Sequence, residues 1–134
     1  RVSLTRTASP PGNAGLFVFT GLASDWAPLD LSAAKGLRFR CRSNRAATIR
    51  VRLEGVANGV WYKGDAAFVG EVGVTNAWRS VDIRWKEFAQ SRAACPGAAC
   101  VPAFAPPGIF MVAWELPAAP GDPELRLDDI QLLY

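Results

Sequence analysis

The chain contains no histidine. That absence removes the Ser-His-Asp and Cys-His nucleophile systems, in which an imidazole carries the proton, and with them most protein zinc sites. Lysine is scarce: Lys35, Lys63 and Lys86 are the only three among fifteen basic residues, so twelve are arginine. Nucleic-acid binders usually concentrate basic charge more heavily and mix in lysine. Here twelve acids leave a net charge of only +3, and nucleic acid is not the expected partner. No run approaches the length of a membrane span, so no membrane partner is expected. The opening RVSLTRTASPPGNAG lacks the apolar centre of a signal peptide. Internal repeats, heptads, a charged tail and a glycine-rich phosphate loop are all missing, and no catalytic cofactor is expected.

What is present suits one domain. A length of 134 residues allows a real core in a single unit, residues 1–134. The chain starts at Arg1 without a Met, which we take as the mark of a module cut from a longer protein, expected to be monomeric. Twelve glycines and ten prolines, spread along the chain, favour many turns over long helices. Strand patterns dominate. Leu16 to Phe19 is a short apolar run, and Leu37 to Arg42 and Ile49 to Glu54 alternate with period two. Phe68 to Val74 (FVGEVGV) reads as a strand whose glycines mark a bulge or a close backbone approach. Trp78 to Trp85, Ile109 to Trp114 and Leu125 to Leu133 complete the set, with a helical turn or two expected within Lys86 to Ala94. Short alternating strands about every ten residues predict an all-β fold: a β-sandwich or jelly roll of two antiparallel sheets.

Two of these strands carry a row of arginines. The stretch GLRFRCRSNRAATIRVRLEG, Gly36 to Gly55, holds six of them. Arg38, Arg40 and Arg42 alternate with Leu37, Phe39 and Cys41, and Arg50 and Arg52 with Ile49, Val51 and Leu53. The rows are either an anion-binding stripe or the wet sides of two sheets.

Cys95 and Cys100 bracket Pro-Gly-Ala-Ala, a spacing that can close a small disulfide ring in a loop. Two unpaired loop thiols are the alternative; zinc has too few ligands. A loop disulfide points to an oxidising compartment and a secreted, extracellular protein. Cys41 falls at an inward position of its strand and is expected to pack as a small core residue.

A Trp before LDLS, then KGLRFR, IRVRL, WRSVDIRWKEFAQ and LRLDDIQLLY follow in fixed order. Together they resemble carbohydrate-binding modules with the galactose-binding-like β-sandwich, of the family 11 type and its relatives, over about Trp26 to Tyr134. A related domain occurs in mitochondrial complex I assembly factors, so the fold alone does not prove sugar binding. The resemblance implies a structural calcium between the terminal strands, with Asp128, the first acid of the Asp128-Asp129 pair, at the matching position. Calcium takes six to eight oxygen ligands, and no acid precedes Asp25. The alternative is a pair of acids at a strand end, one of them hydrogen-bonded to backbone amides. Gln90 ends the WKEFAQ turn, where similar modules present an amide to sugar.

A sugar site needs aromatic faces for the apolar side of a pyranose and planar polar groups for its hydroxyls. NGVWYKGDAAF, Asn58 to Phe68, offers both: Trp61 and Tyr62 in a Gly-flanked loop, with Lys63 and Asp65 beside them. Trp61 could instead plug the loop from beneath. Arg50, Arg52 and Glu54 share one face of the strand leading into this segment. Trp114 and Glu115 point to opposite faces of a late strand, so at most one of them meets a given ligand. Trp78, Trp85 and Phe88 read as core. Glu54, Asp65, Glu71, Asp82 and Glu115 could supply a glycosidase pair, yet no catalytic motif accompanies them and an enzyme is not expected.

The expectation is therefore a non-catalytic module that binds a polysaccharide or oligosaccharide and targets an attached secreted enzyme. The ligand-binding residues would be Arg50, Arg52, Glu54, Trp61, Tyr62, Asp65 and Gln90. The alternatives are a protein-interaction or assembly domain of the same fold, and a binder of acidic polysaccharide. Successive jelly-roll strands often belong to opposite sheets, which would separate the two arginine rows and favour Arg50 and Arg52 over the other three.

Overall fold

Apolar residues at every second position give each long strand one face for a core, and burial follows that alternation from Leu37 to Ser43 and from Val81 to Trp85. The computed structural model describes residues 14–19, 29–57, 59–90, 107–116 and 124–134. In chain order the strands are β1 (Ala14–Phe19), β2 (Leu29–Asp30), β3 (Gly36–Ser43), β4 (Ala47–Ala57) and β5 (Val60–Tyr62), then β6 (Phe68–Val74), β7 (Arg79–Arg84), β8 (Ala89–Gln90), β9 (Pro107–Leu116) and β10 (Leu125–Leu133). Two one-turn 3-10 helices, Gly64–Ala66 and Trp85–Glu87, follow β5 and β7.

Among the described residues, seven strands form one antiparallel sheet in the order β1-β9-β4-β6-β8, with β2 on the end of β9 and β5 on the end of β4. The second sheet is β10-β3-β7. The chain enters the small sheet at β3, at β7 and at β10, and returns to the large sheet after β3 and after β7. The fold is thus an all-β sandwich of two antiparallel sheets, as the alternation predicts.

Between the sheets lies one core. Phe39 of β3 meets Trp114 of β9 edge-on, ring centroids 5.6 Å apart, and both are buried. Ile49, Val51 and Leu53 from β4, Val81 and Ile83 from β7 and Leu127 from β10 surround them, with Cys41 packed as a small core residue. Gly70 allows the sheets to close here: a Cβ on it would run into Cδ1 of Ile83. Of the two glycines of β6, Gly70 thus marks a close approach, Gly73 has open space, and the pairing with β4 stays regular.

Three local expectations need correction. Trp78 is not core: it precedes β7 and is 37% exposed, while Trp85 and Phe88 are buried as expected. Trp85 closes the corner, its indole Nε1 donating to the Ala34 carbonyl at 2.7 Å. The helical segment shrinks to Trp85–Glu87, because Ala89 and Gln90 pair with β6 as a strand; residues 91–94 lie outside the described residues. Trp61 and Tyr62 are not in a loop, since they form β5 against the end of β4.

Candidate functional site

The inward positions of β4 are Ile49, Val51 and Leu53, so Arg50, Arg52 and Glu54 face outward from the large sheet. Register carries that face across neighbouring strands. Arg50 is opposite Glu115 on β9 and Glu71 on β6; Arg52 is opposite Ala113 and Val69; Glu54 is opposite Met111. Val56 pairs with Trp61 at the end of the row, while Gly55 pairs with Tyr62 on the core side.

A chain of ion pairs runs along the face. Nη2 of Arg52 lies 3.0 Å from Oε1 of Glu115, and its Nε lies 3.6 Å from Oε1 of Glu54. Oε1 of Glu54 also accepts a hydrogen bond from the Gly64 amide at 2.9 Å, which ties the strand to the turn after β5. Arg52 is 21% exposed, Glu54 11% and Glu115 12%, so the three are pinned and partly desolvated. Arg50 pairs more loosely with Glu71, at 3.6 Å with both exposed.

Next to this chain stands an aromatic pair. Trp61 is 56% exposed and meets Phe110 edge-on, with centroids 5.5 Å apart, and Lys63 Nζ sits 5.8 Å from the indole centroid. Phe110 arrives there through a bulge: Glu54 pairs with Met111 but Gly55 with Ile109, leaving Phe110 as the extra residue of β9. The bulge depends on two glycines. Gly108 has φ +93°, and a Cβ there would strike the Val56 carbonyl, while a Cβ on Gly55 would strike the Gly108 carbonyl and the Tyr62 hydroxyl.

The structure therefore gathers Arg50, Arg52, Glu54 and Trp61 on one face. Tyr62 is a correction: it is fully buried against Phe68, because alternation along β5 sends its neighbour Trp61 outward and Tyr62 inward. Burial holds its phenol proton on, with the pKa pushed up to about 12. Gln90 is also elsewhere. It pairs with the inward Phe68, so it lies on the core side of the sheet edge, and its amide donates to the Ala66 carbonyl. Asp65 is exposed on the one-turn helix after β5. Glu115 joins the face and Trp114 enters the core, the split that their adjacency predicts. Of this face, the sequence points to Glu54 as a ligand-binding residue and to Glu71 and Glu115 only as possible glycosidase acids, and it gives no role to Phe110. Gly108, just ahead of an apolar strand, is the signal that could have marked the bulge.

Asp128 lies in the other sheet, buried in β10. Two adjacent acids do break the alternation, as register shifts between Asp128 and Gln131, Asp129 takes φ 49°, and the Asp129 amide donates to Oδ1 of Asp128 at 3.1 Å. Among the described residues no three His, Cys, Asp or Glu side chains cluster as a metal site. Cys95 and Cys100 lie outside the described residues.

The arginine rows occupy different sheets, β3 in the smaller and β4 in the larger. On the small sheet Arg38 forms a two-point pair with Asp82, at 2.7 and 2.6 Å, which holds the Asp82 carboxyl below its ordinary range.

No protein-family profile matches the chain, and no curated protein matches it in sequence. Among solved structures it is similar to a family 11 carbohydrate-binding module from Clostridium thermocellum, solved in complex with a beta-1,3-1,4-mixed-linked tetrasaccharide. The two share 14% identity at a TM-score of 0.64, over 92% of this chain and 85% of that one. Likeness at that identity establishes a shared sandwich fold.

Proposed function

We propose that the protein is a non-catalytic carbohydrate-binding module whose ligand lies across the outer face of the large sheet. The observation that carries this is Trp61, a large indole left 56% exposed and braced by Phe110 beside the Glu115–Arg52–Glu54 chain. An apolar ring suits the C–H face of a pyranose, and pinned guanidinium and carboxylate groups suit its hydroxyls, donating and accepting in fixed directions. Arg50, Arg52 and Lys63 are matched by Glu54, Glu71 and Glu115, a balance that suits a neutral glycan. The solved neighbour's ligand supports the same class and makes a beta-1,3-1,4-mixed-linked tetrasaccharide the first ligand to try. Each carboxylate on the face has a guanidinium partner, whereas a glycosidase keeps one acid protonated for its leaving group.

The test is calorimetric titration with a panel of neutral oligosaccharides, that tetrasaccharide included. We expect binding by the native chain and at least a tenfold loss in Trp61→Ala, with little change in stability. No binding anywhere on the panel would sink the reading; a protein partner recovered by pull-down and indifferent to added oligosaccharide would replace it with an assembly role.

Three further parts of the reading go with it: attachment to a secreted enzyme, a Cys95–Cys100 disulfide, and calcium at Asp128. Calcium takes six to eight oxygens, and among the described residues no three acids cluster, so most ligands would come from backbone carbonyls or segments outside them. A calcium titration of the melting temperature should raise it in the native chain and leave Asp128→Ala unchanged. Without that rise, the calcium part of the reading falls, and Asp128 keeps its role as acceptor for the Asp129 amide.

A further inference from the structure

The outer side of the small sheet holds a second aromatic, set among charges that do not cancel. Trp78 continues the line of β7 beyond the Cys41–Arg79 pair, which brings it level with Arg42. The guanidinium carbons of Arg42 and Arg40 lie 5.2 and 5.4 Å from its ring centroid. The ring's negative face attracts both guanidinium groups, and the two like charges drawn to one indole repel each other. Arg40 has Asp129 at 3.6 Å; Arg42 has no carboxylate partner among the described residues.

Beside Arg42 opens a polar cavity of about 200 Å3, lined by Arg42, Ser43, Asn44, Asn76, Glu124 and Arg126. Glu124 is matched there: Arg126 reaches its Oε1 through Nε at 2.7 Å and Nη2 at 2.6 Å. Asn44 Oδ1 accepts from the Glu124 amide at 3.0 Å and shapes the wall. Arg40, Arg42 and Arg126 against Asp129 and Glu124 leave one positive charge in excess, and it falls at the junction of ring and cavity.

We propose that Trp78, Arg42 and this cavity form a second saccharide subsite, selective for a sugar that carries one carboxylate, a uronate. The indole takes the apolar face of the ring, Arg42 with Arg40 takes the carboxylate, and Ser43, Asn44 and Asn76 take hydroxyls. A polyphosphate fits poorly, because it gains from several unmatched cations in a row and would here meet Glu124 on the wall. This subsite lies on the opposite sheet from Trp61 and does not depend on that face binding sugar.

The experiment follows the indole N–H signals of the whole chain by NMR during titration with a galacturonate trimer. The same trimer with its carboxyls methyl-esterified keeps the shape and removes the charge. The Trp78 signal should move with the acid trimer at least tenfold more tightly than with the ester. Arg42→Gln and Arg42→Ala should each lose that preference while the other indole signals report an intact fold, and Trp61→Ala should retain it. Equal response to both trimers, or no response to either, overturns the subsite. Stronger binding of an oligothymidylate at Trp78, steeply weakened by salt, overturns it in favour of a general polyanion surface. Failure of the Trp61 face would appear separately, as a silent Trp61 signal with neutral oligosaccharides.

Discussion

Trp61 and Tyr62 are neighbours in sequence with opposite roles, and period-two geometry explains why both cannot serve one ligand. Trp61 stands in solvent; Tyr62 sits against Phe68 with no exposed surface. The consequence for Tyr62 is a pH dependence. Below its ordinary value of 10.0 the phenol is neutral in both folded and unfolded chains and contributes nothing pH-dependent; from there to about 12 only the unfolded chain releases the proton. The unfolded state then binds fewer protons, so stability falls over that window. Tyrosinate absorbance should therefore show a late step as the pH nears 12, accompanied by unfolding, and Tyr62→Phe should remove it while leaving sugar binding intact. A Tyr62 that titrates at its ordinary value in the folded protein would contradict its place in the core.

At the scale of elements, what was legible in the sequence tracks the length of the pattern. Of the seven longer strands, β3, β4, β6 and β7 alternate long enough to declare a face, and the arginines of β3 and β4 are the outer half of that alternation; β1 and β9 read as apolar runs, and Asp128-Asp129 interrupts β10. The strands β2, β5 and β8 run to two or three residues, too few for a period, and exist because a neighbour's edge offers them hydrogen bonds. The site was legible where it rides on a long strand, at Arg50, Arg52 and Glu54. It was illegible where it depends on register, at Phe110, whose bulge is set by backbone contact between β4 and β9. That contact can be tested by comparing two glycines. Gly59 has φ +77° with nothing within 4 Å of an added Cβ, so Gly59→Ala should cost only about 1 kcal/mol, from conformation alone. Gly108→Ala adds a collision with the Val56 carbonyl and should cost clearly more, roughly 2–3 kcal/mol by urea unfolding. Because the same collision shifts Phe110 from beneath Trp61, oligosaccharide affinity should fall in Gly108→Ala and hold in Gly59→Ala.

For the whole molecule, changing sheets after β3 turns one arginine-rich stretch into two surfaces of different character. The large sheet balances its cations with Glu54, Glu71 and Glu115; the small sheet keeps an excess at Arg42. Two surfaces with separate chemistry still rest on one core, and the contact joining them is Phe39 against Trp114. Phe39 belongs to the three-stranded sheet and Trp114 to the larger one, and neither sheet alone can cover its apolar face. Removing the Phe39 ring leaves a cavity between them, a change that costs about 3–5 kcal/mol in a packed core, a large part of a typical domain's stability. Phe39→Ala should therefore lower the urea midpoint sharply. It should also keep the loss of near-ultraviolet tryptophan signal and far-ultraviolet strand signal coincident, because the sheets share one core and unfold together. Separate transitions, with the small sheet melting first, would mean that the two faces are held by independent cores, and the Phe39–Trp114 contact would lose the role assigned to it.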